Sequence, residues 1–192
     1  ARQVFDEGGV PFQTFDALPL AAEPWAALLD LVLAFARSGG TRETAVALLR
    51  SRLLRFEVAG RPVGLRDAAA LDSTLTERRT TGDADTYVSE VSAWFGERTT
   101  RDRVERERAQ RAALAAASVR EALLPFRQGS AASAQLDALA SFLRAHALPV
   151  PGGDPWRERQ LRARAAVLGV LDGLARACER FDDRPRRDED LT

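Results

Sequence analysis

Glu23-Pro24-Trp25-Ala26-Ala27-Leu28-Leu29-Asp30-Leu31-Val32-Leu33-Ala34-Phe35-Ala36-Arg37-Ser38 is the stretch that decides the fold. Trp25, Leu28, Leu29, Val32, Phe35 and Ala36 recur at helical spacing, while Leu31 and Leu33 carry apolar character to a second side. A helix apolar over so much of its circumference belongs at the centre of a core. Gly39-Gly40 ends it, and Thr41 stands where the N-cap of a following helix is expected.

Outward from this helix the same reasoning predicts further helices near 41–52, 67–79, 87–96, 99–124, 134–147 and 155–181, with the first near 23–38. The fold class is therefore all-α, a multi-helix domain with at most a minor strand or hairpin near 10–15 and 56–65. Pro62 restricts any such hairpin to an edge. The last helix has the strongest start signal: Asp154 as N-cap, Pro155 at the first position and Glu158 near the positive dipole end. Its apolar repeat runs through Leu161, Leu168, Leu171, Ala175 and Cys178. The expected core holds Trp25, Leu28, Val32, Phe35, Leu49, Leu139, Leu143, Leu168 and Leu171.

Composition narrows the function classes. Hydrophobic content of 45% and charged content of 29% are ordinary for a globular chain, and 192 residues suit one domain. Residues 1–182 read as that domain, with 1–20 as a lead-in, and 183–192 as a charged linker or the truncated start of a further segment. Arg2 to Gly9 reads as the last turn of a helix, so a domain cut from a longer polypeptide is expected. Lys, Asn, Ile and Met are absent, a pattern expected of a GC-rich genome, so all 28 basic residues are arginine by codon bias. Their abundance is thus a weak pointer to phosphate. Net charge is +0, and any contact with nucleic acid needs a local patch. No apolar run reaches membrane-spanning length, and the single cysteine fits a reducing cytoplasm.

Catalytic chemistry finds no foothold in the sequence. Without lysine there is no P-loop. His146 and Cys178 stand alone, where zinc sites need clusters. His146 is expected to cap a helix end near Ala147, and Cys178 to behave as a small apolar residue. Asp182-Asp183 and Asp188-Glu189-Asp190 read as a solvated tail. No catalytic residue, metal ligand or cofactor is expected within this chain.

Two arginine sets remain as candidates. One is the half-helix carrying Arg101, Arg103, Arg106, Arg108 and Arg111; the other opens the last helix with Arg157, Arg159, Arg162 and Arg164. Asp102–Arg106 and Glu107–Arg111 are spaced as i,i+4 pairs, which suffices for a charged helix bridging solvent. If instead the sets converge, Arg101, Arg103, Arg108, Arg111, Arg157 and Arg164 would face solvent and bind DNA backbone without sequence preference.

Gly9-Val10-Pro11-Phe12, Leu18-Pro19-Leu20, Pro24 and Leu48-Leu49-Arg50-Ser51-Arg52-Leu53-Leu54 follow one another in an informative order. This succession resembles the 2B-type helical insertion region of superfamily 1 DNA helicases, UvrD-like proteins among them. It is most similar to helicase–nuclease subunits of the AddB and RecB kind. The resemblance covers Val4 to Leu54. It implies an accessory helical subdomain of an ATP-dependent DNA helicase/exonuclease of repair and recombination. ATP and Mg would belong to the parent's motor domains, and the partners would be DNA, neighbouring motor domains or a sister nuclease/helicase subunit. The competing expectation is a helical protein–protein interaction or scaffold domain without a nucleic-acid role.

Overall fold

The computed structural model describes residues 23–96 and 103–185. Helix α1 (Pro24–Ser38) begins with proline at its first position and buries Trp25, Leu28, Val32, Phe35 and Ala36, the stripe its spacing predicts. It stops because Gly39 turns left-handed, at φ 72°, and closes its N–H onto the Phe35 carbonyl. Gly40 follows at φ 79°, where a Cβ would meet the Phe35 ring at 2.7 Å and Ala84 at 2.9 Å. Both backbone angle and space therefore demand glycine there.

Helix α2 (Arg42–Leu49) buries Ala45, Val46, Leu48 and Leu49. Strands β1 (Glu57–Val58) and β2 (Arg61–Pro62) pair antiparallel, Glu57 opposite Pro62. Ala59 and Gly60 between them are both left-handed, as a two-residue hairpin turn requires. There follow α3 (Leu65–Glu77), a 3₁₀ turn at Ala84–Thr86, α4 (Tyr87–Gly96) and α5 (Arg103–Ala122). A single turn, α6 (Leu124–Arg127), leads to α7 (Ala132–His146) and α8 (Arg157–Phe181). The fold is mainly all-α, with one minimal hairpin within 56–65. The segments at 1–20, including the expected strand near 10–15, lie outside the described residues.

Packing follows residue size. The buried face of α5 is mostly alanine (Ala109, Ala112, Ala113, Ala115, Ala116), so neighbouring helices can approach closely. The bulk comes from those neighbours: Leu71 and Leu75 of α3, Tyr87 and Val91 of α4. Helix α8 packs mainly along α7, and α1 touches both α2 and α8, which joins the two groups. An isolated bridge between Leu54 and Ala147 adds a second link.

Several expectations shift. Helix α2 ends at Leu49, before the expected 52, and α8 begins at Arg157 because Pro155 and Trp156 form a turn. Asp154 still serves that start, accepting from the Trp156 N–H at 2.7 Å. Thr41 makes no side-chain cap; its hydroxyl meets that of Thr44 instead. Of the nine expected core residues, Leu168 is only half-buried. The buried stripe of α8 is Ala163, Val167, Leu171 and Ala175, and Leu161 stands exposed. Ala163, Val167 and Ala175 share the buried stripe with Leu171, while Leu161 and Leu168 are turned aside from it.

His146 does not cap its own helix. Its Nδ1–H donates to the Arg55 carbonyl at 3.1 Å, and the ring sits 5.0 Å from Phe56 and 4.8 Å from Phe142. Nor is the acidic tail wholly solvated. Asp183 accepts from the Ser133 N–H at 2.9 Å and from its hydroxyl at 2.6 Å, and Pro185 bridges to Ala131. Residues 183–185 thus return to the start of α7, while Asp188-Glu189-Asp190 lie outside the described residues. No helix among the described residues is long and apolar enough to cross a membrane.

Candidate functional site: the arginine sets and the free face of the last helix

Helix α5 holds the first arginine set, and Arg101 lies outside the described residues. Arg103 is the most open member, 82% exposed, and donates to Glu107 at 3.0 Å. Arg108 donates to Glu105 at 2.6 Å. Arg106 is exposed. Arg111 departs from the expectation of a solvent-facing arginine. Only 20% of its side chain is exposed, and its guanidinium donates to Asp67 at 2.8 Å. The expected Glu107–Arg111 pair is absent because each finds another partner.

That pairing has a local cause. Asp67, in the first turn of α3, is buried, and its other oxygen accepts the Gly64 N–H at 2.7 Å. A buried carboxylate needs both hydrogen bonds and a counter-charge, and α5 supplies the latter. Arg120, itself largely buried, pairs with the exposed Asp85.

The second set lies on α8. Arg157 and Arg162 are exposed. Arg159 donates to Glu23 at 3.0 and 3.2 Å and lies 5.8 Å from the Trp156 ring centre. Arg164 is half-buried above Trp25, its guanidinium carbon 5.6 Å from that ring centre. The two sets have different supports. Helix α5 packs on α3 and α4, whereas α8 packs on α7 and α1.

Sequence reasoning missed a different surface. Along α8, Val170, Leu174 and Phe181 are 51%, 49% and 79% exposed. Ala166 and Ala177, on the same side of the helix, are exposed too. The signal was present as a second i,i+4 series beside the buried one, 166–170–174 and 177–181. Arg162 borders this stripe, is exposed, and forms no ion pair among the described residues. Arg180 borders it as well and leans over the Phe181 ring at 5.3 Å.

The remaining chemistry is structural. A mixed cleft of about 410 Å³ lies between the starts of α1 and α8, lined by Trp25, Leu53, Trp156 and Arg159 among others. The hydroxyl of Tyr87 donates to the Gly40 carbonyl at 2.7 Å, and burial pushes its pKa above the ordinary tyrosine range. The two bonds from Ser133 hold Asp183 below the usual carboxylate range. Among the described residues no group of three or more His, Cys, Asp or Glu gathers to hold a metal. Comparison of the chain with protein-family models, curated proteins and solved structures finds no match.

Proposed function

We propose that this chain is a helical protein–protein interaction domain, accessory to a larger polypeptide or complex. One observation carries the reading: a helix of 25 residues leaves Val170, Leu174 and Phe181 open to water along one side. Exposed apolar side chains scattered singly are ordinary, but a contiguous row marks a surface that is covered in use. Of the arginines that could track phosphate, Arg103, Arg108, Arg111 and Arg159 are instead engaged with carboxylates.

Within the resemblance to helicase–nuclease insertion regions, the partner is a neighbouring motor domain or a sister subunit. ATP and Mg would then act in those motor domains. This chain has no lysine and therefore no P-loop. The second reading, direct contact with DNA, draws on Arg106, Arg157 and Arg162, which are exposed and unpaired among the described residues.

The test is a photoreactive residue placed at position 170 or 174 in the full polypeptide in its own cells. An adduct with one defined polypeptide, absent when the probe sits at exposed Ala47 on α2, is the expected result. Adducts with nucleic acid, or none from either position in folded protein, would overturn the proposal.

A further inference from the structure

We infer that the free face of α8 receives an amphipathic helix whose apolar stripe is flanked by Asp or Glu; this rests on the interaction-domain reading and specifies the partner's chemistry. Geometry argues for a helix. Ala166 to Phe181 covers 15 residue steps, about 22 Å, which a partner helix of roughly four turns would match. Val170 and Leu174 form a ridge. Beside it lie Gly169 and Gly173, where an added Cβ would meet nothing within 4 Å. A ridge beside a trough at helical spacing is what the side chains of a second helix interdigitate with.

Charge selects among the possible occupants. Arg162 and Arg180 border the stripe, and Arg162 has no ion pair among the described residues. The nearby acids are mostly directed elsewhere: Asp172 is taken by Arg144 at 2.6 Å, and Glu179 lies on the side of core-facing Ala175. Glu158 alone sits near Arg162, four residues before it. The border is therefore net positive. A second copy of this chain, packed antiparallel about a two-fold axis, would set arginine border against arginine border. A nucleic-acid strand would leave Val170, Leu174 and Phe181 without apolar cover. An acidic amphipathic helix satisfies both the stripe and its border.

The experiment titrates the full chain with synthetic peptides of about twenty residues, long enough to form a helix. One carries a Leu/Ala stripe flanked by Glu, one the same stripe flanked by Lys, and one the Glu composition with the stripe scrambled. The Glu-flanked stripe should bind about tenfold or more tighter than either control. Leu174→Glu should remove that binding with helical content unchanged, since the side chain is half exposed. Arg162→Glu combined with Arg180→Glu should shift preference toward the Lys-flanked peptide. Equal affinity for the Glu- and Lys-flanked peptides would overturn the inference. So would a dimer of the chain that Leu174→Glu dissociates. If no peptide binds while the cross-link from position 174 still yields one defined polypeptide, the partner chemistry is wrong and the interaction reading survives. Failure of both removes the two together.

Discussion

Arg111 donates to the Asp67 carboxylate at 2.8 Å, and the same carboxylate receives the Gly64 N–H at 2.7 Å. The pair ties the start of α3 to the middle of α5 within the most extensive helix–helix contact of the fold. Removing either partner leaves the other charge partly buried and alone. Asp67→Ala or Arg111→Ala should each destabilise the chain by about 2–4 kcal/mol in urea titration. The double variant should lose less than the sum, because the second truncation removes a charge already stranded. Strict additivity would show that the two residues act separately.

Tyr87 and Gly40 form the second fixed point. Tyr87→Phe leaves the buried Gly40 carbonyl without its donor and should cost about 1–3 kcal/mol. Gly40→Ala meets both the Phe35 ring and a left-handed backbone and should cost more. The pH dependence follows in sign. Burial raises the pKa of the folded tyrosine, so above the ordinary value of 10.0 the unfolded chain releases a proton that the folded chain keeps. Stability from this source is complete below that pH and falls as pH rises beyond it. Tyr87 is the single tyrosine, so phenolate absorbance reports on it alone. Ionisation at the ordinary value in folded protein would contradict the buried hydrogen bond.

Element type was legible where one spacing dominates, as in α1, where Trp25, Leu28, Val32 and Phe35 recur while Leu29, Leu31 and Leu33 are partly buried around them. It was least legible in α8. That helix carries two apolar series, and pattern alone cannot say which of them meets α7. Leucines at 161 and 168 drew the reading toward the larger side chains, whereas close packing selected Ala163, Val167 and Ala175. The arginine sets failed for a similar reason. Local spacing allows a Glu107–Arg111 pair, but Asp67 lies 44 residues away in sequence, and only the tertiary fold brings it to Arg111. The unused α8 stripe was visible as periodicity; that it has no neighbour among the described residues is a property of the assembled fold.

Asp183 caps the start of α7 through Ser133, and those bonds favour its ionised form. Its folded pKa lies below the ordinary 3.8, so the anchoring is present above that value and is lost as pH falls through the folded pKa. Hydrogen exchange at the Ser133 amide should therefore stay slow near neutrality and lose protection in acid before the core of α3 does. Asp183→Ala should remove the protection at every pH. Protection unchanged in that variant would mean that the backbone of α7 holds the amide without help.

The DNA reading makes its own numerical demand. Each phosphate neutralised contributes about 0.9 to the log–log salt slope for duplex binding. Arg111 is held by Asp67, and Arg103 and Arg108 must first leave Glu107 and Glu105. Among the described residues of the two sets, the exposed cations without an ion pair are Arg106, Arg157 and Arg162, which together would contribute about −2.7 to the slope. Arg157→Ala with Arg162→Ala should flatten the slope of fork-DNA binding by about 1.8, measured on protein whose helical signal is unchanged. Arg111→Ala, in any fraction that remains folded, should leave the slope as it was. A slope far steeper than this, or one that falls on replacing Arg111, would mean that the carboxylates release their arginines to phosphate and that the surface is a nucleic-acid interface.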